Sequence, residues 1–250
     1  MESLKSVSLW DDPSKDYRQR YDLPDQFLWD PIGWARTVWD GYMAVVLNLL
    51  PPPPSNILDV GCGPGFGTKF LIERGYQVQG IDYNERAIGF ANLLVPDTQF
   101  MQADIRLLQD MSEFHNRFDA AVHVEVLEHI PVEYHAGVLQ GIHRVLRAQG
   151  TLVLTVPSKT MPIHKWHYKH FDLDEICGLV TQNGFIVKQV IYQDQGSILF
   201  SSPVWSLLSN KLYDLRLVRR LLRTIYLRRF NTTIKPHKAS RFILQAEKQR

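Results

Sequence analysis

The chain has 250 residues, of which 45% are hydrophobic and 22% are charged, a composition typical of a globular protein with one main domain. The formal net charge of +2 excludes a strongly basic nucleic-acid binder and an acidic disordered chain. With only Cys62 and Cys177, the chain can form neither a disulfide framework nor a multi-cysteine zinc site.

The charge is divided unevenly along the chain. Residues 200–250 contain 12 Lys and Arg but only 2 acids, a net charge of +10, which leaves −8 for residues 1–199. The N-terminus lacks a basic-then-apolar signal pattern, and no run approaches 18 apolar residues. We therefore expect a cytoplasmic protein without a transmembrane helix, whose acidic body carries a basic C-terminal segment.

Residues 1–54 are predicted to form an N-terminal helical cap. Trp39–Leu50 has the apolar face of a helix, which the four prolines Pro51–Pro54 then end. The aromatic segment Asp16–Tyr21 and the N-terminal tryptophans predict a lid over an apolar or ring-shaped acceptor. For Trp34 and Trp39 we favour the alternative, in which they pack the cap onto the main domain.

Strand and helix signals alternate after the prolines. Apolar runs predict strands at Asn56–Val60, Gln77–Ile81, Gln99–Gln102, Phe118–Val124, Thr151–Val156, Phe185–Tyr192 and, at the end, Phe242–Glu247. Helices are predicted at Thr68–Arg74, Glu85–Leu94, Val132–Ala148 and Leu173–Gln182. This alternation predicts an α/β fold with a doubly wound, mostly parallel, seven-stranded sheet. Residues 55–199 would form the main domain, and residues 241–250 would return to it as the terminal strand.

A glycine-rich loop, Gly61–Gly67, joins the first predicted strand to the first predicted helix. Glycine lets the backbone pass close to a ligand, but Phe66 breaks the G-x-G-x-x-G dinucleotide fingerprint, and no P-loop lysine follows. Asp82 ends the second strand and could accept hydrogen bonds from a ribose. Asp104 ends the third strand and could meet an adenine amino group. The three features together predict a nucleoside-binding slot, although either acid alone could simply cap a helix.

At these positions the chain carries five successive motifs that resemble those of class I S-adenosylmethionine-dependent methyltransferases: ILDVGCGPGFG, GIDYNERAI, ADI, FDAAVHVEVLEHI and RVLRAQGTLVLTVP. The chain is similar, within that family, to the type 11 group, which includes ubiquinone-biosynthesis O-methyltransferases. The resemblance implies a Rossmann-like fold and S-adenosylmethionine as cofactor. It also implies cofactor-binding roles for Asp59, Gly61, Gly63 and Gly65 at the methionine part, Asp82 at the ribose, Asp104 at the adenine and Glu125 on the sulfonium side. Ile105 is a further residue expected to bind the cofactor.

An oxygen acceptor must also lose a proton to a base, or be polarised by a metal. Two clusters stand at the carboxyl ends of predicted strands, where α/β sheets place their chemistry: Glu125–His129 and His164–Phe171. In one interpretation His129, or a histidine of the second cluster such as His170, is the general base, with Glu125 as a further catalytic residue.

In a second interpretation a divalent metal is held by Glu125, Glu128, His129 and either His167 or His170. Such mixed ligands suit Mn²⁺, Fe²⁺ or Zn²⁺ better than Mg²⁺. The E-x-x-E-H and H-x-x-H pattern resembles small-RNA 2′-O-methyltransferases, where a similar set holds a catalytic metal, but no further RNA-binding motif is found. A third interpretation is structural, with these side chains ordering the loop.

Residues 200–240 are predicted to form a basic amphipathic helical insertion, with its helix at residues 203–230. An apolar stripe would run along one side, through Leu208, Leu212, Leu215, Val218, Leu222 and Ile225, and basic residues would occupy the other, at Arg216, Arg219, Arg220 and Arg223. This pattern fits contact with a membrane surface. Alternatively, the stripe packs on the domain, or the arginines bind the phosphates of RNA.

Together these features predict transfer of a methyl group from S-adenosylmethionine to an oxygen on a small or lipid-linked acceptor. The insertion adds peripheral membrane contact to the predicted cytoplasmic location. Two alternatives remain open: the protein methylates RNA ribose, or it is a non-catalytic subunit that binds S-adenosylmethionine. As a partner, nucleic acid is less favoured than a small-molecule or lipid-linked acceptor.

Overall fold

The structure of the protein, a computed structural model, describes residues 30–193, 204, 207–208, 215–230, 232–233 and 235–249. The expected lid segment Asp16–Tyr21 lies outside these residues, as do Trp10 and Trp29. Parts of the basic insertion, including Leu212 of its predicted stripe, also lie outside.

The described residues form eight strands and six α-helices. The strands are β1 (Asn56–Val60), β2 (Gln77–Asp82), β3 (Phe100–Gln102), β4 (Phe118–Val124), β5 (Leu146–Pro157), β6 (Phe185–Gln193), β7 (Thr232–Thr233) and β8 (Arg241–Lys248). The helices are α1 (Trp34–Leu49), α2 (Phe66–Ile72), α3 (Glu85–Leu94), α4 (His135–Val145), α5 (Leu173–Gln182) and α6 (Arg216–Ile225).

All eight strands belong to one sheet, in the order β3-β2-β1-β4-β5-β8-β6-β7. Strands β1 to β5 pair in parallel, while β8 lies antiparallel between β5 and β6. The predicted doubly wound, mostly parallel, seven-stranded sheet is therefore confirmed, and the two-residue strand β7 extends it beyond β6. The chain reverses direction across the sheet after β3, and β1 and β4 meet at that switch point, where α/β folds place their ligands.

The central strands β1 and β4 are buried on both faces, as their apolar character requires. Ile57 and Leu58 alternate on β1, and they belong to two separate apolar clusters. The cluster of Leu58 includes α4 and α5, through residues such as Val138 and Ile176. The cluster of Ile57 includes α1 and α2. The Asp172 capping box at the start of α5 confirms the predicted cap of that helix.

Strand β5 begins five residues earlier than predicted, and α4 is correspondingly shorter. The backbone N–H groups of Asn116 and Arg117 donate to the carbonyls of Arg144 and Val145, both at 2.9 Å. Leu146 then pairs with the first residue of β4. These contacts end the helix before Gly150, which lies inside the strand instead of ending a helix.

Helix α1 begins at Trp34, five residues before the predicted start, and it packs directly on the sheet. Trp39 is buried and meets the Phe70 ring edge-on at 5.4 Å. Trp34 meets the buried ring of Tyr226 at 5.3 Å. The described part of the expected N-terminal cap is thus one helix in the main core, and the division at residue 54 stays a prediction.

The basic insertion differs from its predicted pattern where the structure describes it. Arg219 is only 5% exposed, and its Nη1 donates to Asp30 Oδ2 at 2.7 Å, while Arg223 pairs with Asp40 of α1. Of the predicted apolar stripe, Leu215 and Val218 are exposed, whereas Leu222 and Ile225 pack inward against Tyr226. The prediction that all four arginines lie on the side opposite the stripe is therefore wrong, because acids near and on α1 draw two of them inward. No described helix is both long and apolar enough to span a bilayer.

Candidate functional site

The glycine loop turns tightly at the carboxyl end of β1. The N–H groups of Gly61 and Cys62 both donate to the carbonyl of Ile81 on β2, at 2.8 and 3.0 Å. Gly61 has φ +83°, and a Cβ there would lie 2.6 Å from a methyl carbon of Val126. A side chain at this position would therefore clash as well as strain the backbone. The loop leaves an open cradle that a larger residue would fill.

Two buried carboxylates flank the loop. Asp59 on β1 accepts a 2.7 Å hydrogen bond from the Thr68 hydroxyl, and Asp82 accepts 2.9 Å bonds from the N–H groups of Gly63 and Asn84. Burial raises the pKa of each carboxyl to about 6, although these hydrogen bonds oppose the shift. Asp82 thus holds the loop in place and also lines the cavity beside it.

Asp104 lies at the edge of the same cavity, after β3. Its oxygens accept three hydrogen bonds from the Arg106 side chain, the shortest at 2.7 Å, and one from the Arg106 N–H at 3.0 Å. Ile105 is buried and lines the cavity. Sequence reasoning missed Arg106, whose guanidinium also stacks on the Tyr134 ring at 4.6 Å. If Asp104 also contacts an adenine, as expected, its carboxylate oxygens must bind both the adenine and Arg106.

One cavity of about 510 Å³ connects these groups with the second half of the candidate site. Its wall includes the glycine loop, both buried acids and the end of β4. It also includes aromatic and apolar side chains of α1, and the two histidines discussed below: Trp34, Val38, Trp39, Tyr42, Met43, His129 and His167. The residues predicted to bind a cofactor and those predicted to act on an acceptor therefore face one space.

Glu125, directly after β4, is held by a network that the sequence did not predict. Its Oε2 accepts a 2.6 Å hydrogen bond from Arg241 Nη2, and its Oε1 accepts a 2.7 Å bond from the Thr155 hydroxyl. Burial favours a higher pKa for Glu125, but the charge and hydrogen bonds of Arg241 outweigh it and lower the pKa. Glu125 also has φ +56°, which is unusual for a residue with a side chain. Its carboxylate is thus an ionised partner of Arg241.

The histidines of the two predicted clusters meet at the cavity. The rings of His129 and His167 lie edge-to-face with centroids 4.5 Å apart. His129 Nδ1 is 2.9 Å from the carbonyl oxygen of Trp166, and His129 Nε2 is 4.0 Å from Glu128 Oε1. The Glu128 side chain is almost fully buried. The structure thus brings together two segments that are separated by nearly forty residues in sequence.

Backbone carbonyls determine the tautomers of these rings. A carbonyl can only accept, so His129 carries its proton on Nδ1 and presents Nε2 as a proton acceptor. His170 Nδ1 likewise donates to the Met161 carbonyl at 3.0 Å, and His170 Nε2 accepts from His167 Nδ1 at 2.7 Å. His167 is therefore also left with Nε2 as its acceptor nitrogen. His170 supports His167 from behind and does not line the cavity.

Glu128, His129 and His167 also form a group that could hold a metal ion. One ligand atom from each lies within 4.8 Å of the others. The expected set contained Glu125 and His170 as well, but the geometric group does not include them, because their side chains are engaged by Arg241 and His167. The sequence prediction named His170 as the site histidine with His167 as its alternative, but it is His167 that lines the cavity. Only the tertiary contacts show which of the two faces it.

Comparison with known proteins agrees with this geometry. Residues 58–154 match a family model described as a methyltransferase domain. A "Probable S-adenosylmethionine-dependent methyltransferase" of Mycobacterium tuberculosis is 29% identical over 140 residues, 52% of this chain and 48% of its own length. A "Ubiquinone biosynthesis O-methyltransferase" of Alkalilimnicola ehrlichii is 33% identical over 122 residues, 45% of this chain and 48% of its own length. The chain thus spans about half the length of these curated relatives.

The fold is shared with solved structures. A "SAM dependent methyltransferase from Archaeoglobus fulgidus" superposes with a TM-score of 0.61 at 16% identity, covering 89% of this chain and 99% of its own. The cradle at Gly61 and the buried acids that line the same cavity fit the cofactor that the family implies, S-adenosylmethionine. At residues 58–154 the chain thus matches the methyltransferase domain, and one of its curated relatives is named a probable S-adenosylmethionine-dependent methyltransferase.

Proposed function

We propose that this protein transfers a methyl group from S-adenosylmethionine to a hydroxyl oxygen of a small or lipid-linked acceptor. The observation that carries the proposal is the position of His129 and His167 in the same cavity as the glycine loop, Asp59 and Asp82. When bound, S-adenosylmethionine supplies an electrophilic methyl group on its sulfonium. An oxygen acceptor also needs a group that takes its proton, and the cavity contains two imidazoles in the required tautomer.

In the proposed cofactor site, Asp82 accepts hydrogen bonds from the ribose, and the loop from Gly61 to Gly65 surrounds the methionine part. Asp59 supports the loop through its bond to Thr68. Ile105 packs on the adenine, and Asp104 accepts from its amino group beside Arg106. The raised pKa of Asp82 reflects burial, so a ligand that donates hydrogen bonds to this carboxylate replaces the solvation it has lost.

We assign His129 as the general base. Its Nδ1 bond to the Trp166 carbonyl fixes the ring, and the acceptor's proton moves to Nε2. The buried carboxylate of Glu128, 4.0 Å from that nitrogen, stabilises the imidazolium that forms.

His170 and Glu125 act in this proposal as positioning residues. His170 accepts the Nδ1 proton of His167 and so orients the ring that packs against His129. Glu125 is paired with Arg241 and Thr155, so its carboxylate orders the loop after β4 instead of taking a proton.

The wall contributed by α1 supports an apolar or ring-shaped acceptor. Trp34, Val38, Trp39 and Tyr42 of α1 line the cavity, and aromatic side chains favour flat or apolar ligands. The relatives named for ubiquinone biosynthesis are O-methyltransferases by that name. Both observations favour an oxygen on an apolar ring system over a sugar or a nucleic acid.

A second candidate chemistry is metal-assisted transfer. Glu128, His129 and His167 form a donor set of two imidazoles and one carboxylate, which suits Mn²⁺, Fe²⁺ or Zn²⁺. In that case the histidines would bind the ion, and the ion would polarise the acceptor hydroxyl. Treatment with EDTA separates the two candidates. Loss of activity that Mn²⁺ restores would favour the metal, and unchanged activity would favour the base.

The proposal is tested by incubating the protein with methyl-labelled S-adenosylmethionine and an extract divided into lipid, small-molecule and RNA pools. We expect label in the lipid or small-molecule pool, in a product that resists the mild alkali that cleaves methyl esters. Label only in RNA would favour ribose methylation instead. Cofactor binding without labelling of any pool would favour a non-catalytic subunit.

A further inference from the structure

The outer side of helix α6 exposes a strip of apolar side chains. Leu217 is 79% exposed and Leu221 is 60% exposed, with Leu215 and Val218 near 40%. Residues four apart are neighbours on a helix surface, so Leu217 and Leu221 form the centre of this strip. Single exposed leucines are normal, but two strongly exposed leucines that are neighbours on one helix point to an interaction surface.

Positive charge accompanies this apolar strip. Arg220 and Arg228 are exposed near it, and residues 215–230 contain no Asp or Glu. The charges of Arg219 and Arg223, in contrast, are paired with Asp30 and Asp40 on the inner side. The exposed charge of this helix is therefore entirely positive, which makes the surface complementary to an anionic partner.

The inner side of the same helix packs behind the cavity. Leu222 and Ile225 of α6 pack against the fully buried Tyr226, which directly follows the helix, and Trp34 and Val38 of α1 pack against the same tyrosine. Trp34 and Val38 in turn line the cavity on its proposed acceptor side. A partner on the outer side of α6 would thus be separated from the acceptor wall by a single layer of helix.

We infer that the outer side of α6 docks on an anionic lipid surface, with Leu217 and Leu221 entering the headgroup boundary and Arg220 and Arg228 contacting phosphates. A helix with a leucine strip beside arginines has the composition of interfacial helices. The further step, in which the cavity of the docked protein receives a lipid-linked acceptor, rests on the proposed function. Docking itself does not require methyl transfer, so it is measured without cofactor or acceptor.

The test is co-sedimentation of the full chain with vesicles of phosphatidylcholine alone or with added phosphatidylglycerol. We expect binding to the anionic vesicles at least about tenfold tighter than to the neutral ones, and weaker as salt rises, because the arginines interact with lipid charge. Binding that is equally weak to both vesicles would overturn the inference, whatever the variants do.

Three double variants, one of them a control, assign the surface. Leu217→Gln/Leu221→Gln keeps helix propensity but removes the apolar strip, and we expect about tenfold or greater loss of vesicle binding. Leu93→Gln/Leu107→Gln changes two leucines that are 80% and 52% exposed elsewhere, and it should bind like the wild type. Arg220→Gln/Arg228→Gln should lose the preference for anionic vesicles.

Thermal melts and cofactor binding report whether each variant is folded. Equal vesicle binding by the wild type and the Leu217/Leu221 variant would show that another surface is used and would overturn the assignment.

Sedimentation velocity without lipid tests the alternative that a second copy of this chain covers the strip. A wild-type dimer that the Leu217/Leu221 variant converts to a monomer would identify the strip as a contact between two copies, contrary to the inference. Methyl transfer without vesicle binding would overturn docking alone, whereas vesicle binding without transfer would overturn only the proposed function.

Discussion

Glu125 and Arg241 form a 2.6 Å ion pair across 116 residues of sequence, at the wall of the cavity. The geometry depends on sheet order, because β8 lies next to β5, which in turn lies next to β4. Arg241 also donates to Gln193 at 2.7 Å and stacks on the Tyr42 ring. The pair thus connects the end of the chain to α1, β4 and β6.

Breaking this pair should destabilise the fold. We expect Arg241→Met to lower the free energy of unfolding by about 3 kcal/mol, because it leaves the Glu125 charge buried without its partner. The double variant Glu125→Gln/Arg241→Met should recover a large part of that loss. Urea denaturation of the wild type, both variants and Glu125→Gln completes a double-mutant cycle. If the effects of the two single changes simply add, Glu125 and Arg241 are not coupled and the prediction is wrong.

Asp82→Asn should weaken binding of S-adenosylmethionine by roughly 10- to 100-fold. The amide can still accept the bond from Gly63, so the loop is expected to remain, but the negative charge facing the ribose is lost. Calorimetric titration measures the effect, with Asp97→Asn at an exposed position as the matched control. Unchanged affinity in Asp82→Asn would refute the assignment of the ribose site.

The buried acids predict how stability without ligand varies with pH. Burial raises the pKa of Asp59 from 3.8 to about 6, so between these values the folded state retains a proton that the unfolded state has lost. The contribution of Asp59 to the free energy of unfolding therefore falls as pH rises from about 4 to about 6, by roughly 2–3 kcal/mol.

Asp59→Asn isolates this contribution, since Asn can still accept from Thr68. The variant should be more stable than the wild type above pH 6, and the difference should shrink toward pH 4. Chemical denaturation across this range provides the measurement. Other carboxyls titrate in both proteins, so only the difference is diagnostic, and a difference that does not vary with pH would argue against a raised pKa.

Replacement of His129 should affect catalysis differently from replacement of His170. If His129 is the base, His129→Gln should lower kcat by about 100-fold or more while leaving cofactor affinity intact. His170→Gln should have a smaller effect, with part of its loss in KM, because it only orients His167. The measurement is kcat from pH 6 to 9, with the acceptor that labelling has identified. The dependence of kcat on pH should disappear in His129→Gln and remain in His170→Gln.

Local patterns predicted the elements around the glycine loop well. Helices α3 and α5 have the predicted ends, because Asn84 and Asp172 cap them with side chains close in sequence. The glycine loop, Asp59, Asp82 and Asp104 line the cavity as expected. Capping, turn geometry and strand ends depend on neighbouring residues, so such features are readable from the sequence.

The acceptor side followed from contacts that no local pattern specifies. The motif around Glu125 and His129 indicated chemistry, but the sequence could not show that Arg241 holds Glu125 or that His167 faces the cavity in place of His170. The same holds for α6, where Asp30 and Asp40 turn Arg219 and Arg223 inward. Charge periodicity alone placed all four arginines on one side.

The amino-acid sequence by itself determined the α/β architecture and the glycine turn beside Asp82, since strand periodicity and a glycine turn act over a few residues. Only the tertiary structure decided which buried charges are paired and which histidines share the cavity with the glycine loop. These outcomes depend on strand order and helix packing, which bring together side chains as distant in sequence as Glu125 and Arg241. A charge that loses its solvent on burial is stable only beside a group of opposite charge, so each buried charge needs a partner.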